Sequence, residues 1–227
     1  MRDLAGTARL TLAVLFGVLA GGAFASAAAQ ESAVQDFGPA PDAVARTAAW
    51  AVASHDAQGL PFVVVDKLDA QVFVFAPDGA LRGVSPALLG SAPGDESAPG
   101  VGDRELSDIL PDERTTPAGR FLAGYGPARG GRTVLWVDFA TAISLHPVAT
   151  NNPREHRLER LASPSVEDNR ITYGCINVPA AFYEDVVRPT FTGTRGVVYV
   201  LPDTRRLEDV FPALHAAAAG SDVVAGR

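Results

Sequence analysis

The single cysteine of this 227-residue chain is the residue best suited to chemistry. Cys175 follows Gly174 in the stretch ITYGCINVP, residues 171–179. A thiolate is a strong nucleophile when a neighbouring base lowers the pKa of the thiol. Glycine allows a tight turn, whose backbone N–H groups can stabilise the oxyanion of acyl transfer. The pattern is typical of a cysteine nucleophile, although the cysteine count alone supports a buried, inert thiol equally well.

Four histidines compete to be the base that activates this thiol. His146 ends the predicted strand ISLH, on the same face as Ser144 because side chains alternate along a strand. A rigid strand end is a good place from which to present an imidazole, but a structural histidine also fits this position. His156 lies in a charged, loop-like segment, and His55 and His215 are predicted at the surface.

The N-terminal residues predict export. Arg2 and Arg9 flank a short positive region, residues 10–18 are apolar, and small-x-small cleavage sequences follow within residues 25–29. The apolar part is shorter than the roughly 20 residues that a spanning helix needs. We therefore expect residues 1–29 to be a signal peptide and the mature protein to be periplasmic or in the cell envelope, without a stable membrane span. A lone cysteine in that oxidising setting suggests a reactive thiol or one that pairs between molecules.

Composition excludes several functional classes. Hydrophobic residues make up 47% and charged residues 20%, as in an ordinary globular protein. The net charge of −7 argues against binding to nucleic acid or anionic lipid. There is no phosphate-binding glycine loop, and one cysteine with four scattered histidines predicts no metal site. No cofactor is expected.

The elements that must position the thiol are mostly strands. An alanine-rich helix is predicted at residues 43–54, with Val44, Thr47, Ala48 and Ala51 on its apolar face. Short β-rich runs follow at residues 62–66, 71–76, 80–85, 120–125, 133–139, 142–148 and 196–202. The predicted fold is mainly β, a sandwich or open barrel with a few short flanking helices.

These runs divide the chain into four parts. We expect a linker and helix over residues 30–60, a catalytic domain over residues 61–203 and a tail over residues 204–227, behind the signal peptide. Residues 90–114 form a long acidic loop, predicted as a solvated insertion.

Four sequence elements, in order, resemble the YkuD-type L,D-transpeptidase family. That family's nucleophile motif is Ser or Thr, then His, Gly, Cys, an apolar residue, and Arg or Asn; residues 172–177 read TYGCIN. Its Thr-Pro-x-Gly-x-Phe element stands as TTPAGRF at residues 115–121, and the strand that ends in its catalytic histidine as ISLHP at residues 143–147. Residues 63–81 look like its opening hairpin, so the resemblance covers about residues 61–203 and implies a YkuD-like β-sandwich or open barrel.

Two departures separate the sequence from the family pattern. Tyr173 stands where the commonest motif has histidine, and tyrosine cannot act as a cation near pH 7. His146 lies 29 positions before Cys175 (175 − 146), which is longer than the family's usual spacing. His156, at 19 positions (175 − 156), fits that spacing better. We choose His146 because its strand matches, and we interpret residues 148–170 as an insertion.

The resemblance implies a cysteine acyltransferase mechanism. His146 takes the proton of Cys175, and the thiolate attacks the carbonyl of the third residue of a peptidoglycan tetrapeptide stem. Backbone N–H groups of Tyr173, Gly174 and Cys175 hold the oxyanion, D-alanine leaves, and an amine resolves the thioester into a cross-link. The carbonyl of Pro147 would orient the histidine. Such an enzyme acts in peptidoglycan biosynthesis, cell-wall biogenesis and cell shape.

Substrate contacts are expected near the thiol. The candidates are Thr172, Asn177 and Arg170. The implied partners are peptidoglycan stem peptides and, as an alternative acceptor, a wall-anchored lipoprotein. Arginine binds carboxylates bidentately, so a basic segment could pair with stem carboxylates; a solvated loop explains it equally well. Its members are Arg154, Arg157, Arg160 and Arg170.

Two other functions remain open at this point. With water as the acceptor, the same site makes an L,D-carboxypeptidase or another wall-peptide hydrolase. A wall-binding module with an inactive site is the second alternative, and it predicts a Cys175 thiol that resists alkylation.

Overall fold

The structure is a computed structural model and describes residues 40–214. The predicted signal peptide, most of the linker and His215 lie outside the described residues. The strands are β1 Phe62–Asp66, β2 Gln71–Phe75, β3 Leu81–Pro86, β4 Leu89–Gly90, β5 Gly119–Pro127, β6 Thr133–Asp138, β7 Ile143–Pro147, β8 Arg170–Thr172, β9 Ile176–Val178 and β10 Gly196–Val200. The α-helices are α1 Asp42–Ala53, α2 Arg157–Ala162, α3 Ala180–Phe182, α4 Arg188–Phe191 and α5 Leu207–Val210.

Eight of these strands form one sheet in the order β3-β2-β1-β10-β5-β6-β7-β9. The β1–β10 and β7–β9 pairs are parallel, and the other neighbours are antiparallel. Leu88, just after β3, exchanges two backbone hydrogen bonds with Asn177 of β9, at 2.8 and 2.9 Å, so the two ends of the sheet meet. The prediction of a mainly β fold is confirmed, and the nearly closed sheet agrees with the YkuD-like architecture that the resemblance implied.

The central strands are buried on both faces, which explains their unbroken apolar sequence. In β1, Val63 and Val65 point into the interior of the sheet, whereas Phe62 and Val64 point outward. Helix α1 covers that outer face with Val44, Thr47, Ala48 and Ala51, as predicted. Phe211 and Leu214 from the C-terminal segment join the same outer core. Among residues 40–214, the structure contains no helix long and apolar enough to cross a membrane.

A buried cluster of charges lies at one end of β1. The side chain of Lys67 is fully buried, and its ammonium group contacts Asp95 at 2.7 Å and Asp203 at 3.2 Å. Nζ also donates to the carbonyls of Gly94, at 2.6 Å, and Thr116, at 2.9 Å. A buried ammonium must be paired and hydrogen-bonded, so these five residues hold four chain segments together.

Asp95 is the centre of this cluster. Burial raises the pKa of its carboxyl, but hydrogen bonds from Lys67, the Thr204 hydroxyl and the Asp203 N–H lower it further than burial raises it. The resulting pKa lies well below the usual range, so Asp95 is ionised in the fold. Residues 90–114, predicted as a solvated insertion, are therefore anchored to the sheet through Asp95. The same segment contains three short 3₁₀ helices, at Val101–Asp103, Leu106–Asp108 and Pro111–Glu113.

We predict that Asp95→Asn lowers the free energy of unfolding by about 3–5 kcal/mol, because it leaves the Lys67 charge without its main partner. Urea denaturation at pH 7 measures this loss. Because the folded state lowers the pKa of Asp95, the wild type should also lose stability as the pH falls below about 4, and the variant should lack this contribution.

Glu96→Gln provides the matched control. The Glu96 side chain is 82% exposed and pairs with Arg205 at 3.4 Å, so this substitution should change stability by less than about 0.5 kcal/mol. Equal effects of the two substitutions would show that the buried cluster does not stabilise the fold.

Candidate active site

Parallel pairing of β7 and β9 brings the predicted base and nucleophile together. His146 is in register with Asn177, which places Cys175 opposite Ser144, two residues earlier on each strand. The thiol sulfur lies 3.6 Å from the Ser144 hydroxyl and 3.6 Å from the carbonyl oxygen of Ala142. The His146 side chain, on the same face of β7 as Ser144, is near enough to lower the pKa of this thiol. Residues separated by 29 positions thus meet because neighbouring strands are only about 5 Å apart.

The turn that carries the thiol requires glycine. Gly174 has a φ of +122°, and a Cβ at this position would lie 2.6 Å from both Ile143 Cδ1 and the Thr115 carbonyl oxygen. Any other residue type at this position would require the backbone around Thr115 to move. Gly174 therefore lets Cys175 approach β7 closely.

Two threonine hydroxyls fasten this turn. Thr172 Oγ1 accepts a hydrogen bond from the Gly174 N–H at 3.1 Å and donates to the Cys175 carbonyl at 2.7 Å. Thr116 Oγ1 donates to the Gly174 carbonyl at 2.8 Å and accepts from the Gly90 N–H at 2.9 Å. Thr172 and Thr116 are 3% and 0% exposed. Thr172, predicted to contact substrate, thus has its hydroxyl inside the turn, and the N–H of Gly174 already has a partner there.

Both ring nitrogens of His146 have partners. Nδ1 lies 2.8 Å from the carbonyl oxygen of Pro147, and Nε2 lies 3.0 Å from the side-chain nitrogen of Asn177. A carbonyl can only accept, so Nδ1 carries a proton and donates to Pro147. The oriented imidazole has the arrangement expected of a general base.

The surroundings of Cys175 favour its thiolate. Burial raises the pKa of the Cys175 thiol, but the hydrogen bond and charge of His146, followed by hydrogen bonds from Ser144, lower it further. The net direction is downward. A lowered pKa beside an oriented imidazole is the environment expected of a reactive cysteine, and it differs from that of an inert core thiol.

Tyr173, which replaces the histidine of the commonest motif, lies beneath a cation. The Arg114 guanidinium carbon is 4.3 Å from the centre of the Tyr173 ring, within cation–π range. Arg114 also donates to the Ile109 carbonyl at 3.1 and 3.2 Å. A positive charge therefore stands next to the nucleophile turn, although residue 173 itself carries none.

The structure separates His146 from the other histidines. The His156 side chain is 68% exposed and points towards Glu159, with 3.7 Å between Nδ1 and the carboxylate. His55 is exposed just after α1, and His215 is not described. Within residues 40–214, no group of three or more His, Cys, Asp and Glu side chains is placed to hold a metal ion.

Most arginines of the basic segment bond within the protein. Arg170 donates to the Lys67 carbonyl at 2.8 Å and pairs with Asp203 at 2.9 Å. Arg160 donates to the backbone carbonyls of residues 155 and 168, both at 3.0 Å. Arg157 donates to Asn177 Oδ1 at 2.8 Å, and Arg154 is exposed. Three of the four arginines therefore have partners within the protein. These three do not form the free carboxylate-binding surface that was one interpretation of the segment.

A cavity of about 540 Å³ opens beside the imidazole. Its wall includes Ser144 and His146, and its rim includes Arg132, Glu184 and Arg188. Glu184 and Arg188 form an ion pair at 2.6 Å. The cavity is large enough for part of a peptide and presents both charges.

Sequence reasoning missed Ser144, Thr116 and Arg114 as neighbours of the thiol. Ser144 was recognisable from strand alternation, because it lies two residues before His146 on the same face. Thr116 belongs to the TTPAGRF element, whose contact with the nucleophile turn no local pattern indicates. Arg114 comes from a loop that looked solvated.

The sequence matches no protein-family model and no curated protein. Similar solved structures include a mutant of the helical cell shape determining protein Pgp2 from Campylobacter jejuni, at 14% identity and a TM-score of 0.44, over 77% of this chain and 62% of that one. They also include an L,D-transpeptidase from Mycobacterium smegmatis, at 18% identity and 0.35, and the L,D-transpeptidase LdtMt1 with imipenem, at 15% and 0.34. Each of these two alignments covers 62% of this chain and 58% of the other. This chain therefore spans less than two thirds of the length of each of these proteins.

We predict that His146→Gln raises the pH midpoint of Cys175 alkylation by iodoacetamide, because it removes the group that lowers the thiol pKa. At a fixed pH near 7, the alkylation rate should fall by about tenfold. His156→Gln should leave the midpoint unchanged. A shift with His156→Gln and none with His146→Gln would transfer the role of base to His156.

Gly174→Ala should destabilise the fold by more than about 1 kcal/mol, because alanine is strained at this φ and its Cβ collides with β7. Urea denaturation measures the loss. Gly124→Ala is the matched control on β5, since a Cβ there meets nothing within 4 Å. A Gly174→Ala variant as stable as Gly124→Ala would contradict the geometry of the turn.

Proposed function

We propose that this protein is an exported L,D-transpeptidase that joins peptidoglycan stem peptides through a thioester on Cys175. The observation that carries the proposal is the pairing of β7 with β9, which places the thiol 3.6 Å from Ser144 and beside the strand of an imidazole whose Nδ1 donates to a backbone carbonyl. That geometry occurs on the residues that match the family's nucleophile and base elements. The lowered pKa of the Cys175 thiol is consistent with nucleophilic catalysis.

The acylation step follows from these contacts. His146 Nε2 accepts the thiol proton while Nδ1–H keeps its bond to Pro147, which stabilises the ring as it becomes cationic. The sulfur forms a bond to the carbonyl carbon of the third stem residue. The C–N bond to D-alanine then breaks, and the imidazolium returns its proton to the leaving amine.

The second step resolves the thioester. An amine of a neighbouring stem attacks the acyl carbon and loses a proton to His146, and the C–S bond breaks to restore the thiol. The new amide is the cross-link. A wall-anchored lipoprotein could supply the amine instead, and water would make the product of a carboxypeptidase.

The oxyanion needs N–H donors near the acyl carbon. In the resting turn the Gly174 N–H donates to Thr172. We therefore assign the stabilisation of the oxyanion mainly to the N–H groups of Tyr173 and Cys175. The nearby charge of Arg114, above the Tyr173 ring, adds a favourable potential for an anion.

The cavity beside His146 is the proposed binding site for the stem peptide. Arg132 and Arg188 on its rim can attract the carboxylates of the stem, while the Glu184 carboxylate can pair with its free amine. Of the predicted contacts, Arg170 is held by Asp203 and Thr172 by its own turn, so we assign both to positioning. Export to the periplasm or cell envelope follows from the predicted signal peptide and is part of the proposal.

The decisive test mixes protein from about residue 30 onward with tetrapeptide-rich muropeptides and reads the products by mass spectrometry. We expect dimers that have lost one D-alanine per link, and none with Cys175→Ala. Tripeptides without dimers would identify a carboxypeptidase. Unchanged muropeptides in both samples would favour a wall-binding module, provided that the protein still binds sacculi.

A further inference from the structure

The base of the proposed enzyme is held by a side chain from outside the family motifs. Arg157 is the first residue of α2, in the segment 148–170 that separates base from nucleophile. Its Nη1 donates to Asn177 Oδ1 at 2.8 Å, and Asn177 Nδ2 lies 3.0 Å from His146 Nε2. His146 Nδ1 in turn contacts the Pro147 carbonyl. Four residues thus form one chain of hydrogen bonds that passes through the imidazole and ends at the Pro147 carbonyl.

Each bond in this chain has only one allowed direction. A guanidinium can only donate, so the amide atom that faces Arg157 must be oxygen. The atom that faces His146 is then the NH₂ group, which also can only donate. Nε2 must therefore accept and carry no proton. The Pro147 carbonyl requires the proton on Nδ1, so both ends of the ring specify the same neutral tautomer.

The amide cannot easily reverse this direction. Asn177 is 1% exposed, and its backbone is fixed by two hydrogen bonds to Leu88. Rotating the amide by 180° would place its NH₂ group against the Arg157 guanidinium, donor against donor. Arg157 is itself 13% exposed and held by the carboxylate of Glu155. A buried pair of facing donors without an acceptor is unfavourable, so the observed orientation of the amide is preferred.

We propose that Arg157 is a positioning residue that acts through Asn177 to hold His146 in the neutral Nδ1–H tautomer and to oppose its protonation. The inference rests on the proposed function, since it concerns the same thiol and base. In the resting site, the single lone pair on Nε2 is occupied by the Asn177 amide, so it is not free to take the thiol proton. Arg157 thus raises the pH at which Cys175 becomes a thiolate. Full activation of the thiol requires the Asn177 amide to move away from His146 Nε2.

The other charged groups near His146 do not explain such an effect. Cys175 lies beside the ring on the β9 side, and Glu155 is screened behind Arg157. Across the cavity, the groups are Arg132 and the ion pair between Glu184 and Arg188. None of these three is hydrogen-bonded to His146, so only the amide controls the direction of the bond at Nε2.

The test measures the pH midpoint of Cys175 alkylation in Arg157→Met, which has no donor at this position. We expect the midpoint to fall by about one pH unit, because the freed amide can turn its oxygen towards an imidazolium. Asn177→Ala should shift the midpoint in the same direction. Arg157→Lys keeps a donor and should keep the wild-type midpoint. Arg160→Met loosens the same segment without touching Asn177 and should also leave it unchanged.

Imidazole ¹⁵N spectra give a direct view of the tautomer. In the wild type we expect the signal of an Nδ1–H imidazole, assigned by its loss in His146→Gln. In Arg157→Met at the same pH, we expect imidazolium or a mixture of tautomers. Identical wild-type and Arg157→Met signals, together with equal midpoints, would overturn the proposal.

Steady-state cross-linking separates positioning from substrate binding. For a positioning residue, Arg157→Met should lower kcat, on the order of tenfold, with KM little changed. A raised KM with an unchanged alkylation midpoint would overturn the proposal and make Arg157 a substrate contact. If the wild type cross-links nothing but the midpoint shifts as expected, the proposed function fails and the role of Arg157 stands. If the wild type forms cross-links but all variants have the same alkylation midpoint, the proposed function stands and the role of Arg157 fails.

Discussion

A buried ammonium group is the constraint on which the rest of the structure depends. Lys67 has no access to water, so its charge must be satisfied by groups that the chain itself supplies. Those groups come from the acidic loop, from the segment just after β10 and from the Thr116 carbonyl. The hydroxyl of Thr116 then holds the Gly174 carbonyl, so the position of the nucleophile turn is set by the same cluster.

Much of this architecture could be predicted from local patterns, because strands and amphipathic helices leave periodic traces in sequence. The runs before His146 and around Phe62 were recognisable, as was the motif around Cys175. The remaining features depend on contacts between distant segments. Nothing near Asp95 in the sequence distinguishes it from the exposed Glu96 beside it, yet one is an anchor and the other is solvated. Likewise, a basic run such as that around Arg157 looks solvated until its partner Asn177 is known.

The hydrogen bonds at the site have a direction as well as a length, and the direction carries chemical information. Groups that only donate, such as guanidinium, and groups that only accept, such as carbonyl, fix the protons of everything between them. The His146 imidazole lies between the Arg157 guanidinium, which reaches it through the Asn177 amide, and the Pro147 carbonyl.

The parallel pairing of β7 with β9 has an evolutionary consequence. Antiparallel neighbours can be joined by a short hairpin turn whose length sets the register, whereas parallel neighbours need a crossover of roughly a dozen or more residues. Residues could thus be added between His146 and Cys175 one by one without disturbing the pairing of either strand. The crossover between β7 and β9 contains α2, whose first residue, Arg157, donates to Asn177 beside the imidazole.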